Sequence, residues 1–187
     1  MGSCRKITVQ PDAMVGLALL LLVMDLKWVG AFLFSAAVHE CCHLLALRLQ
    51  CVPICAVSVG LTGAKIETPP LTKLQEFFGA LAGPVGGLLL CLFAAQVPRL
   101  AVCAFFHSAW NLLPLYPLDG GRALRCLVPV RAARVVEMAV IVLILGIAIR
   151  LTGIIGFLTV SVIVARPLLE KYLAKRCRNS YNSATIK

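Results

Sequence analysis

The chain has 187 residues, 60% of them apolar and 14% charged, with a mean hydropathy of +0.94. Soluble domains run about 45–50% apolar and about 25% charged, so an ordinary soluble globule and a disordered chain are both excluded. The composition is that of a membrane protein. About 20 apolar residues cross a bilayer as a helix, so the length allows about six spans, and no folded extramembrane module is expected beside them.

The net charge is +10, from 18 Lys and Arg against 8 Asp and Glu. In a soluble chain that would point to nucleic acid. Here the basic residues flank apolar runs, as the positive-inside rule requires of cytoplasmic loops, and no nucleic-acid partner is expected. Cysteines number nine, an odd count, and several lie in apolar stretches (Cys41, Cys42, Cys91, Cys103). They read as reduced small apolar residues, not as a disulfide framework.

Apolar runs fall at about 12–24, 28–49, 77–98, 100–118, 135–149 and 151–165. The first follows Arg5 and Lys6 as a signal peptide would, but Asp25 and Lys27 come next in place of a small-residue cleavage site, so it reads as a short span. The last two are parted by Arg150-Leu151-Thr152-Gly153 and fit a helical hairpin better than one helix with an arginine at mid-membrane. With six spans and the N-terminus inside, fifteen of the basic residues are cytoplasmic and only Lys27, Arg99 and Arg150 are outside. That asymmetry puts both termini in the cytoplasm of a multi-pass protein of the cell membrane. The domain reading is a cytoplasmic N-terminus (1–11), one membrane-embedded domain (12–168) and a basic tail (169–187) suited to anionic lipid.

Between spans two and three, Val57-Ser58-Val59-Gly60-Leu61-Thr62 alternates apolar with small or polar residues, and Ala64-Lys65-Ile66-Glu67 resumes after Gly63. That is a strand period. The expected fold is therefore an all-α polytopic membrane protein of about six transmembrane helices, with a small β-hairpin between helices two and three. In span three Gly79, Gly83 and Gly87 form a stripe for close helix approach, and Pro84 predicts a kink.

Most acidic residues (Asp12, Asp25, Glu67, Glu76, Glu137, Glu170) sit at or near the ends of apolar runs, within reach of water. Glu40 lies inside the second run, where a carboxylate costs several kcal/mol unless it is partnered or faces a wet cavity. Its neighbours are His39-Glu40-Cys41-Cys42-His43. Histidines at i and i+4 share a helix face and suit two imidazole ligands on one Zn2+. Chance produces His-Glu-x-x-His in roughly one chain of this length in a hundred. A catalytic zinc needs a third protein ligand, and the candidates are Asp119, His107 and the cysteines, Cys42 among them. Asp119 is best placed: prolines and glycines break the helix around it, and it comes from the same side of the membrane as His43. His107 reads as a packing residue or a neighbour of the ligands.

The His39-Glu40-x-x-His43 helix, followed by Asn111-x-x-Pro114-x-x-Pro117-Leu118-Asp119-Gly120-Gly121 at the end of a later span, resembles the site-2 protease family of intramembrane zinc metalloproteases (peptidase M50). The resemblance covers about residues 28–125. Without a PDZ insertion, the chain is most similar to the sporulation stage IV protein FB type. The resemblance implies one zinc per chain on His39, His43 and Asp119, Glu40 as catalytic base, and Asn111, Pro114 and Pro117 along the substrate path. It implies regulated proteolysis of a membrane-associated protein, with membrane-protein regulators as partners. A sigma-factor precursor in sporulation is the leading substrate, an anti-sigma factor or remnant signal peptide the alternative. One departure is Gly87, where relatives often carry the asparagine of Gly-Pro-x-x-Asn. The Val57–Thr62 strand is expected to hold an extended substrate by edge pairing. Two rivals use the same residues: a cation transporter, which no inverted repeat supports, and an inactive membrane scaffold, which would have lost a ligand or the base.

Overall fold

The computed structural model describes residues 6–61 and 63–151. The chain divides into two compact units, 1–133 and 134–187. In chain order the elements are β1 (Lys6–Val9), α1 (Pro11–Val23), α2 (Leu26–Leu49), β2 (Ala56–Gly60), β3 (Gly63–Glu67), α3 (Lys73–Leu90), a 3-10 turn (Cys91–Phe93), α4 (Pro98–Asn111), α5 (Asp119–Leu127) and α6 (Val130–Leu151).

Among the described residues three helical stretches are long and apolar enough to cross a membrane: α2, Lys73–Phe93 and α6. The six expected spans are not all found at that length, for physical reasons. With 13 and 14 residues, α1 and α4 rise about 20 Å, short of the roughly 30 Å hydrocarbon core. Both begin at a proline, and α4 ends at Asn111 before the Pro114–Pro117 loop. The fifth run lies in α6, which continues through Arg150 to Leu151. The second arm of the expected terminal hairpin and the basic tail fall outside the described residues.

Helix α2 is patterned inside out. Its buried stripe is Ser35, His39, His43 and Leu47, one residue every fourth position, while Leu33, Phe34, Leu45 and Leu49 are exposed. Polar groups turned inward and apolar groups turned outward are what lipid, unlike water, rewards. The stripe packs on α3, whose buried face is Gly79, Ala80, Gly83, Pro84, Gly86 and Gly87. Such a face brings backbones close. A Thr72–Gln75 capping box starts α3, the Gln75 N–H donating to Thr72 Oγ1 at 3.3 Å and the Thr72 N–H to Gln75 Oε1 at 3.0 Å. The helix then runs unbroken through Pro84.

The expected hairpin is present as β2 and β3, paired antiparallel with Gly60 opposite Gly63. It belongs to a three-stranded sheet ordered β1-β2-β3, with β1 parallel to β2 in the register Ile7–Val57 and Val9–Val59. Four residues are too few to show a period, and their partner lies beyond α2, so β1 left no local signal. Its presence corrects the edge-pairing expectation. Both sides of β2 are occupied within the sheet, so no substrate strand can add to it; the outer side of β3 is the comparable surface. The seven described cysteines are all free.

Candidate metal centre

Three side chains from two distant parts of the chain meet in the first unit. His39 Nε2 and His43 Nε2, one turn apart on α2, are 3.0 Å from each other. Both face Asp119 Oδ2, at 3.1 and 3.2 Å. All three residues are buried, at 3%, 7% and 6% relative exposure. Burying two imidazoles and a carboxylate together is costly unless each polar atom finds a partner.

The partners are specific. A carbonyl oxygen only accepts, so the 2.7 Å bond between His43 Nδ1 and Gly79 O requires Nδ1–H as donor. That fixes the neutral tautomer and turns the Nε2 lone pair toward the cluster. His39 lacks such a bond: its Nδ1 is buried with no partner among the described residues. Its ring instead lies 4.6 Å from that of His107, tilted 43°. Asp119 keeps Oδ1 for Arg122, whose Nη1 donates at 3.3 Å, and the Arg122 Nε donates to Glu76 Oε1 at 2.7 Å. Burial alone would raise the Asp119 pKa, but a proton or cation shared with the two imidazoles outweighs it and holds the carboxyl low.

Local sequence explains the convergence. A Cβ on Gly83 would collide with His43 Nε2 and stand 2.7 Å from His39 Nε2, so only glycine leaves α3 room for the imidazoles. Asp119 opens α5, behind the loop that carries Pro114 and the cis Tyr116–Pro117 bond. Side chains at Gly120 and Gly121 would strike the backbone of that loop, at Leu112 and Leu113 and at Leu115 and Tyr116. The two glycines let the first turn of α5 lie on the loop and carry Asp119 inward. The expected helix break is there, and Asp119 begins a new helix beyond it.

The donor set fits a catalytic divalent cation. Two imidazole nitrogens and one carboxylate oxygen, with a fourth position free, is the zinc pattern of catalytic sites; structural sites are closed by four protein ligands. Ligand atoms on one tetrahedral zinc lie about 3.3 Å apart when bonds are 2.0–2.1 Å, close to the separations seen. Three facing acceptors with no cation or shared proton between them would repel one another.

Among the described residues, His39, His43 and Asp119 form the group able to share an ion. Other sequence-derived residues lie outside it. Cys42 Sγ is turned to Gly86, where a Cβ would strike it. Glu40 is half-buried, and its Oε1 accepts the Ala64 N–H of β3 at 3.2 Å. Asn111 ends α4 and donates from Nδ2 to His107 O at 3.0 Å. Pro114 is half-buried and Pro117 exposed in the loop before α5. Sequence reasoning missed Arg122 and treated Glu76 as a water-facing end residue. The i,i+3 spacing of Asp119 and Arg122 was the available signal; the tie to Glu76 exists only because α5 packs on α3.

This fold is similar to that of a solved structure, the site-2 protease from Methanocaldococcus jannaschii, with a TM-score of 0.62 over 88% of this chain and 89% of that one, at 17% sequence identity. At that identity the likeness carries the fold alone. No protein-family model matches the chain, and no curated protein does.

Proposed function

We propose that the protein is an intramembrane zinc metalloprotease that cleaves a membrane-associated protein. The observation that carries this reading is the buried His39–His43–Asp119 cluster, three protein donors among the described residues, on a fold similar to that of a site-2 protease. His39, His43 and Asp119 would hold a zinc ion there, which would supply Lewis acidity and activate water near neutral pH.

The chain's own residues do the rest. Glu40 lies one position from the ligand His39 but outside the ligand set, and its carboxylate is free to act as a base. Its Oε1, held by the Ala64 N–H, takes a proton from the attacking water and returns it to the leaving amide nitrogen. A helical substrate must unwind first. The outer side of β3, which pairs with no other strand among the described residues, offers it a strand to pair with, beside a cleft of about 560 Å³ lined by Lys65, Ile66, Glu67, Glu76 and Arg122 among others. Asn111, Pro114 and Pro117 border the substrate path from the α4 side. Within this reading the sporulation stage IV protein FB type, acting on a sigma-factor precursor, rests on the motifs and the missing PDZ insertion, with both termini cytoplasmic.

The test is Glu40→Gln in a co-expression assay with a candidate substrate. Cleavage should fall by about 10²–10⁴-fold with zinc content unchanged. Full activity in the variant, or cleavage by the parent that a chelator fails to stop, would remove the proposal.

A further inference from the structure

We infer that Arg122 is a positioning residue that confines Asp119 to a single ligand oxygen and so holds the site at four-coordination; this rests on the metal-site reading above. A carboxylate can bind a cation through one oxygen or both. Here the two oxygens have separate tasks. Oδ2 faces the imidazoles at 3.1 and 3.2 Å, and Oδ1 accepts from Arg122 Nη1 at 3.3 Å.

Arg122 is itself anchored. Its Nε donates to Glu76 Oε1 at 2.7 Å, and Glu76 lies in the first turn of α3, which the Thr72–Gln75 capping box fixes. A guanidinium presents several donors in a rigid fork, so one side chain can hold two carboxylates in a set relation. A lysine's ammonium has three donors but on one freely rotating nitrogen, so it would not fix that relation. The fork spans α3 and α5, the two helices that carry the Gly79 carbonyl, the Gly83 gap and Asp119. Without it, no group among the described residues reserves Oδ1, and Asp119 can turn both oxygens to the cation, adding a fifth donor beside the water.

The experiment uses the full chain in detergent, with zinc replaced by cobalt(II), whose visible absorption is strong at four-coordinate sites and weak at higher coordination. The parent should bind about one equivalent with the four-coordinate spectrum. Arg122→Met should still bind cobalt, but its absorptivity should drop by about half or more as coordination rises. Cleavage should fall about 10–100-fold. Arg122→Gln, which stays polar but cannot span both carboxylates, should change the same way and serves if the Met variant does not fold. Failure of the parent to bind cobalt would defeat the metal reading itself. Normal binding by the parent with an unchanged spectrum in the folded variant would defeat only the role given to Arg122.

Discussion

The imidazole–carboxylate cluster and the Glu40 carboxylate are neighbours along α2, yet they are held by different means. His43 is fixed by the Gly79 carbonyl, both imidazoles are pressed against Gly83, and Asp119 is tied through Arg122 to Glu76. Three helices must move together to disturb it, and close-packed interiors resist that. Glu40 is tied to the sheet by a hydrogen bond from Ala64, worth about 0.5–1.5 kcal/mol. The proposed ligand half is over-determined and the proposed base half adjustable. For a hydrolase the division is sensible, because a base has to change protonation and partner during turnover whereas ligands must stay put.

The largest effect should come from removing a ligand. Outer partners of metal ligands are worth about 10–100-fold in affinity and a ligand more, so His43→Ala should lose over about 100-fold in zinc affinity, read by metal analysis of the purified protein. Near-normal zinc content would break the comparison at its root. Next comes Gly83→Ala, which puts a methyl where the imidazoles stand. Overpacking costs about 1–3 kcal/mol, so affinity should fall about tenfold or more while the helix content seen by circular dichroism stays. Gly30→Ala on the neighbouring helix meets nothing within 4 Å and is the matched control, expected to be neutral.

How much of this was legible in the sequence follows the range of each interaction. The i,i+4 histidines with Glu40 between them are a local pattern, and so are the helix break before Asp119 and the period of Val57–Thr62. The glycine stripe was legible as packing. That Gly79 offers its carbonyl to His43 and Gly83 its empty space was not, because both depend on the rotation of α3 against α2. Arg122 shows the same limit: counted along the chain it is a basic loop residue, and only the approach of α5 to Glu76 gives it a task. The length of the fourth span was not legible for another reason. Hydropathy does not see where a helix ends, so α4 and the loop after it read as one apolar run although Asn111 and the prolines stop the helix.

The smallest effect sharpens the division most. Gly63 has φ +111°, in the left-handed region where a side chain costs about 1–2 kcal/mol. A Cβ there would lie 3.4 Å from Glu40 Oε1, an ordinary contact, so backbone strain and not crowding decides the outcome. Gly63→Ala should relieve that strain by shifting the start of β3 and lengthening the Ala64 N–H to Glu40 bond. Zinc content should be untouched, since no ligand or ligand partner lies on β3. Cleavage should fall by no more than about tenfold, the worth of one hydrogen bond of about 0.5–1.5 kcal/mol. If zinc were lost together with activity in this variant, hairpin and cluster would be one mechanical unit, and the separation of a rigid ligand half from an adjustable base half would be wrong.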